Sequence, residues 1–183
     1  MATREFEGTL FGQTVRFRYS QRWIAYAIFI LRIVMGWIFL QAGLEKLLAP
    51  EGWTAAGYLA NAVPPGNPLA GVWEMLAGQA WVDELNIWVQ ILIGIALITG
   101  TAVRFSAFWG ALMMILYWLT ALQGGLLQGL PLEHGWVVDD HIVYAALLFG
   151  LGAFGAGRIL GVDRWLENTQ LVENNEWLKA FLG

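Results

Sequence analysis

The amino-acid sequence predicts an all-α integral membrane protein, a four-helix bundle with a long outer loop that holds short interfacial helices. Three observations predict it. Hydrophobic residues make up 58% of the chain and charged residues 13%, and the mean hydropathy is +0.57, whereas a soluble domain carries roughly a quarter charged residues. Four apolar segments, at about 23–48, 86–102, 105–126 and 140–157, match the roughly 17 to 25 residues that a membrane span requires. Tryptophans gather at the ends of these segments, with Trp53, Trp73, Trp81, Trp88 and Trp136 at one interface and Trp23, Trp165 and Trp177 at the other, as aromatic belts do.

Residues 1–22 form an N-terminal arm. Its stretch FEGTLFGQTVRFRY alternates Val15, Phe17 and Tyr19 with Arg16 and Arg18 and contains Gly8 and Gly12, a pattern for a short hairpin or an interfacial arm. The membrane domain, 23–160, opens with a span that begins too late for a removable signal peptide. Within it, LRIVMGWIFLQAGLEKL places Arg32, Gly36, Phe39, Gly43 and Lys46 at a 3.5-residue repeat, which puts two cations and two glycines on one helical stripe. Gln41 lies half a turn round from Arg32, and Glu45 follows it by one further turn, so a second polar line runs along the opposite side. Only one of the two faces can be central to the bundle. Lys46 and Glu45, at the outer rim, are the expected contributors to a site, and Arg32 is expected to pack or snorkel.

The outer loop, about 49–85, contains a short helix near 54–62, the breaker Pro64-Pro65-Gly66 with Pro68, and the amphipathic piece LAGVWEMLAGQAWV. A loop so long and so apolar is expected to cover something. In the remaining spans Gly94, Gly110, Gly150, Gly152, Gly155 and Gly157 allow close helix approach. After them, 161–183 spaces Trp165, Leu166, Leu171, Trp177, Leu178 and Phe181 among charges, which predicts an amphipathic surface helix or two, interrupted at Asn174-Asn175.

Eight of the ten basic residues fall on one side of this scheme, among them Arg4, Arg16, Arg18, Arg22, Arg104, Arg158, Arg164 and Lys179. The positive-inside rule then predicts a multi-pass cell-membrane protein with both termini cytoplasmic and acidic outer loops. A net charge of −4 offers no basic surface for nucleic acid.

The absence of cysteine excludes thiol chemistry, cysteine-ligated iron–sulfur clusters and covalent haem attachment. The two histidines, His134 and His141, come from adjacent segments, and no haem or metal is expected. In DDHIVY, one aspartate is expected to cap the fourth helix. Asp140 and His141 both reach Tyr144 by helical spacing, which suggests a proton relay in which Asp140 and His141 would be catalytic. A capped helix with an interfacial histidine is the competing account. Other polar residues fall at a matching depth: Gln41 and Glu45, Asn86 and Gln90, Thr120 and Gln123. They either glue helices together or line a ligand pocket with aromatic walls from Trp37, Trp118 and Tyr144.

These segments, from the Arg32–Lys46 stripe through QILIGIALITGTAVR to DDHIVYAALLFGLGAFGAGR, resemble the DoxX family of four-span membrane proteins over roughly residues 23–160. The family includes the small subunit of thiosulfate:quinone oxidoreductase. The resemblance implies a membrane subunit that works with redox or sulfur-metabolism partners. Members often carry an acidic residue where this chain has Gln90, a departure that removes a possible proton acceptor.

Two functions follow as expectations. In the first the chain is the quinone-interacting component of a membrane oxidoreductase. A lipid quinone enters between helices, Gln41, Glu45, Lys46, Gln90, Trp118, Gln123 and Tyr144 bind it, Asp140 and His141 move protons, and a partner subunit or a further copy completes the complex. In the second it is a non-catalytic membrane anchor or assembly subunit.

Overall fold

The computed structural model describes residues 3–122 and 138–183. Strands β1 (Thr3–Leu10) and β2 (Gln13–Ser20) pair antiparallel from Thr3↔Ser20 to Leu10↔Gln13. Phe11 and Gly12, both at positive φ (50° and 77°), make the two-residue turn whose twist suits a hairpin. One face stacks Phe6 on Phe17 at 5.1 Å between ring centroids, and the other pairs Arg16 with Glu7 at 2.7 Å. The hairpin runs directly into α1 (Gln21–Leu47).

Between α1 and α4 (Ala80–Thr99) the chain forms two short helices, α2 (Ala56–Asn61) and α3 (Ala70–Leu76). A tight link joins α4 to α5 (Val103–Thr120), and α6 follows at Asp140–Ala153. α1, α4 and α5 are each long and apolar enough to cross a membrane, while α6 is a shorter apolar helix. At 1.5 Å per residue, α6 covers roughly 21 Å of a hydrocarbon core about 30 Å thick. Where the sequence predicts a span over 140–157, the helix therefore ends at Ala153, and Gly155 (φ 63°) turns the chain into a single 3-10 turn over Ala156–Arg158.

The four helices close a ring: α1 packs on α4, α4 on α5, α5 on α6, and α6 back on α1. Its core is Met35, Phe39, Ile93, Leu97, Met114 and Leu148, all buried. Large apolar side chains also cover the outside, including Ile30, Val34, Leu92, Phe108 and Phe149, which is the distribution of a bundle whose perimeter faces lipid rather than water. Gly94 makes the tightest of the glycine contacts between α1 and α4. A Cβ there would lie 2.5 Å from the Leu40 backbone nitrogen, so the α1 and α4 backbones touch.

The end of the bundle nearest the hairpin is locked by a buried pair of charges. Arg32 is fully buried, and its Nη1 donates to the carbonyls of Ala156 at 2.6 Å and Ile159 at 3.0 Å, while Nη2 reaches Leu160 at 3.3 Å. It thereby ties α1 to the chain that leaves α6. Of the two roles expected for Arg32, packing and snorkelling, it takes the first: it lies four positions before Gly36, one turn of helix, on the stripe that faces α4 and the post-α6 turn. Gly100, in the left-handed conformation at φ 73°, and Gly161 leave room for it: a Cβ on either would lie within 2.7 Å of Arg32 Nη1. Asp163, also fully buried, accepts from the Ala102 and Val103 amides at 2.6 and 3.0 Å and so caps the start of α5. It accepts from the Gly183 amide as well, at 3.0 Å.

The segment expected as an amphipathic helix over 161–183 is broken into three short turns: α7 (Asp163–Leu166), α8 (Gln170–Glu173) and a 3-10 turn at Glu176–Ala180. Bonds from Asp163 and Gly183 hold its two ends against the α4–α5 link and the turn after α6, a path that one straight helix would not follow.

Candidate functional site

At the opposite end of the bundle, where α1 and α5 end and α4 and α6 begin, the helices leave a cavity of about 200 Å³. α1 contributes Ile38, Phe39, Ala42 and Lys46, α4 contributes Gln90, α5 contributes Met114 and Tyr117, and α6 contributes His141 and Tyr144. The stripe that begins at Arg32 is the reason α1 offers these residues: Gly36, Phe39 and Gly43 are buried, and Lys46 lies one turn beyond Gly43 on the same line.

The polar groups form a chain. Lys46 Nζ donates to Gln90 Oε1 at 2.8 Å and to the Ala42 carbonyl at 3.2 Å. Gln90 Nε2 is 3.4 Å from Tyr117 Oη, a long donation, and Tyr117 Oη donates to Asn86 Oδ1 at 2.8 Å. The Trp53 ring lies 5.1 Å from the Lys46 ammonium, within cation–π range. On the facing wall His141 meets the Tyr117 ring edge-on, with centroids 5.7 Å apart. Its Nδ1 is 2.9 Å from Asp139 Oδ2 and 3.3 Å from Asp140 Oδ1. Asp139 Oδ1 also accepts from the Ile142 amide at 3.1 Å, so one carboxylate caps α6 and orients the imidazole.

Of the residues expected at a site, Lys46, Gln90, His141 and Tyr144 are brought together here. Gln41 and Glu45 are not. They face away from the cavity, exposed, with Gln41 Nε2 donating to Glu45 Oε1 at 2.7 Å. The face of α1 central to the bundle is the Arg32–Lys46 stripe, and the second polar line, half a turn round, satisfies itself. Trp37 is likewise on the perimeter, 58% exposed, and Trp118 is half-buried and not among the lining residues. Asp140 is the exposed member of the aspartate pair, with Asp139 buried and closer to the imidazole. Gln123 and His134 lie outside the described residues.

Tyr117 and Asp139 are the residues that the spacing argument missed. Tyr117 is six residues before Gln123 on an almost wholly apolar helix, and only its partners Asn86 and Gln90, 31 and 27 residues away, reveal its place. Asp139, Asp140 and His141 also hold one ligand atom each within 4.8 Å of one another. Asp139 is already engaged by the Ile142 amide and the imidazole, so the trio reads as a helix cap with its histidine.

Asn67 is buried, and its Nδ2 donates to the carbonyls of Leu119, Thr120 and Leu122 at 2.9, 3.1 and 2.8 Å, closing the end of α5. Its Oδ1 accepts from the Leu69 amide at 2.8 Å, and Tyr58 Oη lies 2.9 Å from Thr120 Oγ1. The α1–α4 connection is thereby fastened across the bundle to α5.

A perimeter of apolar side chains around long apolar helices, with polar groups drawn inward to a cavity at one end of the bundle, defines a helical membrane protein. A family model described as DoxX matches residues 27–123, more than half of the chain. The chain belongs to the DoxX family. No solved structure matches it.

Proposed function

We propose that this protein is the quinone-interacting subunit of a membrane oxidoreductase, a four-span bundle with both termini cytoplasmic, and that the cavity at the end of α1 receives the quinone head group. The observation that carries this reading is the meeting of Lys46, Gln90, Tyr117, His141 and Tyr144 around one cavity of about 200 Å³ with Phe39 and Met114 in its wall. A mixed lining of this kind suits a planar ring with an oxygen at each end, and the volume is below the roughly 300 Å³ at which drug-sized pockets begin. It matches a ring without its isoprenoid tail, which would leave between helices along the apolar perimeter.

A quinone supplies two-electron, two-proton capacity, and its electrons come from a partner subunit. The chain's own residues handle position and protons. Lys46 Nζ, already directed by Gln90 and Ala42, is the group that would hold one ring oxygen. With Nδ1 held by Asp139, His141 has Nε2 left to give or take a proton on the cavity side. Asp140, exposed beside the imidazole, passes that proton towards water. Phe39 and Met114, in the cavity wall, would exclude water from the ring.

The alternative is a non-catalytic anchor, and one observation favours it: Lys46, Gln90, Tyr117 and Asn86 satisfy one another without a ligand. Purification in mild detergent, followed by mass spectrometry of extracted lipids and co-purifying chains, separates the two. Quinone together with a redox partner supports the proposal. A partner that still reduces quinone at an unchanged rate when His141 is replaced by Asn refutes the catalytic role.

A further inference from the structure

The N-terminal hairpin sorts its side chains by face. In the register Arg4↔Tyr19, Phe6↔Phe17, Gly8↔Val15 and Leu10↔Gln13, one face carries Phe6, Leu10, Val15, Phe17 and Tyr19. The other carries the pairs Glu5–Arg18 and Glu7–Arg16, at 3.7 and 2.7 Å, with Thr9 opposite Thr14. Those charges neutralise one another, whereas Phe6, Leu10 and Phe17 are exposed. Gly8 gives the Phe6 ring room to lie along its own face, since a Cβ there would come within 2.7 Å of the ring. A two-stranded sheet is marginally stable by itself in water and needs a further layer against its apolar face.

The tip carries a second signal. Phe11 is in the left-handed conformation at φ 50°, which Gly, Asn and Asp adopt far more readily than a bulky side chain, and its ring is fully exposed. A ring so placed packs on nothing in the chain, so the turn itself does not call for it.

The root of the hairpin indicates what covers this face. β2 ends at Ser20 and α1 begins at Gln21, so no linker separates the sheet from a helix long and apolar enough to cross a membrane. The lipid-facing stripe of α1 starts in its first turn, with Trp23, Tyr26, Ile30 and Val34 exposed at helical spacing. Arg22 lies 5.7 Å from the centroid of the Tyr26 ring, and Trp23 stacks beside it at 6.1 Å, a grouping that marks a membrane–water interface. The aromatic face is thus joined along the chain to a surface that already meets lipid. At about 3.4 Å per residue an eight-residue strand spans roughly 27 Å, so the tip reaches the bilayer only where the hairpin lies along it.

We propose that the hairpin lies flat on the bilayer that holds α1, with its aromatic face and the Phe11 ring in the interfacial layer and its ion-paired face in water. Arg4 and Tyr19, paired at the root of the apolar face, keep their polar ends among the headgroups. The surface is at the opposite end of α1 from the cavity and independent of the quinone reading. It gives the chain a second membrane attachment beside its spans.

The chain has no cysteine, so single cysteines can be spin-labelled in the full-length protein. Phe11→Cys and Gln13→Cys place the label at the tip and on the apolar face, and Thr9→Cys and Thr14→Cys place it on the other face. In phosphatidylcholine vesicles, collision with lipid-soluble oxygen and with a water-soluble nickel chelate is read by electron paramagnetic resonance. Labels at 11 and 13 should favour oxygen over the chelate several-fold relative to labels at 9 and 14. Gln13→Cys, at an exposed strand position, keeps the test open if Phe11→Cys disturbs the turn. Equal access of the chelate to both faces would overturn the proposal. So would exclusion of both reagents from 11 and 13, the mark of a protein partner, or spin–spin broadening between labels, the mark of a second copy.

Discussion

Replacing Arg32 by Met keeps most of the side-chain volume and removes the donor that serves three carbonyls, those of Ala156, Ile159 and Leu160. The first two bonds, at 2.6 and 3.0 Å, are strong, and the third, at 3.3 Å, is weak. A buried polar group left without its partner costs about 1–3 kcal/mol, so two strong contacts and a weak one come to roughly 3–5 kcal/mol. Asp163, fully buried and electrostatically coupled to Arg32, loses its balancing charge at the same time, and breaking a buried charge arrangement falls in the same range of about 3–5 kcal/mol. For a chain of this size each kcal/mol moves the midpoint by roughly 2–4 °C, which predicts a fall on the order of 10 °C for Arg32→Met. Lys in place of Arg retains the charge but not the fork that spans separate carbonyls, and should fall between. The assay is thermal unfolding in mild detergent followed by tryptophan fluorescence, with Arg16→Met as the control, since its ion pair with Glu7 is exposed. A midpoint for Arg32→Met indistinguishable from that of the control would refute the clamp.

Three further outcomes follow from the packing and the charges. Gly94→Ala drives a methyl group into the Leu40 backbone and should destabilise by about 1–3 kcal/mol in the same unfolding assay, whereas Gly150→Ala, which meets nothing within 4 Å, should not. Asn67→Ala frees three carbonyls at and just beyond the end of α5 and the Leu69 amide, and limited proteolysis should then cut the α1–α4 connection at a rate several-fold above wild type; equal rates would show that Asn67 does not hold that connection. Glu167 is held below the ordinary carboxylate range by Arg158, so its contribution is fully present above that range and is lost as pH falls through its folded value. As a largely surface pair it is worth roughly 0.5 kcal/mol, and Glu167→Gln should lower the unfolding midpoint slightly at pH 7 and by progressively less as the pH falls below the ordinary carboxylate range.

Much of the scaffold was legible because helices and strands impose short periods. The 3.5-residue recurrence from Arg32 to Lys46 set those residues on one line of α1, and alternation through Val15, Phe17 and Tyr19 pointed to a hairpin or an arm. Periodicity did not say which of two polar lines faces inward: Gln41 and Glu45 have the same spacing whether they bind a ligand or, as here, each other. Features built from distant residues were hidden for the same reason. Asp163 caps α5 across 61 residues, Asn67 reaches α5 across 52, and Tyr117 finds Asn86 across 31, and none of these separations leaves a local pattern. DDHIVY correctly suggested a capped helix, yet which aspartate is buried depends on the packing of α6 on its neighbours.

Whether the cavity beneath Lys46 holds a quinone ring is decided by photolabelling with an azidoquinone, mapped by peptide sequencing. Label is expected on the peptides bearing Ala42 and Lys46, Gln90, and Tyr117, suppressed by excess unlabelled quinone and reduced at least tenfold in Lys46→Met, equivalent to about 1.4 kcal/mol of binding. Label confined to the exposed perimeter around Trp37, or a pattern that Lys46→Met leaves unchanged, would contradict it.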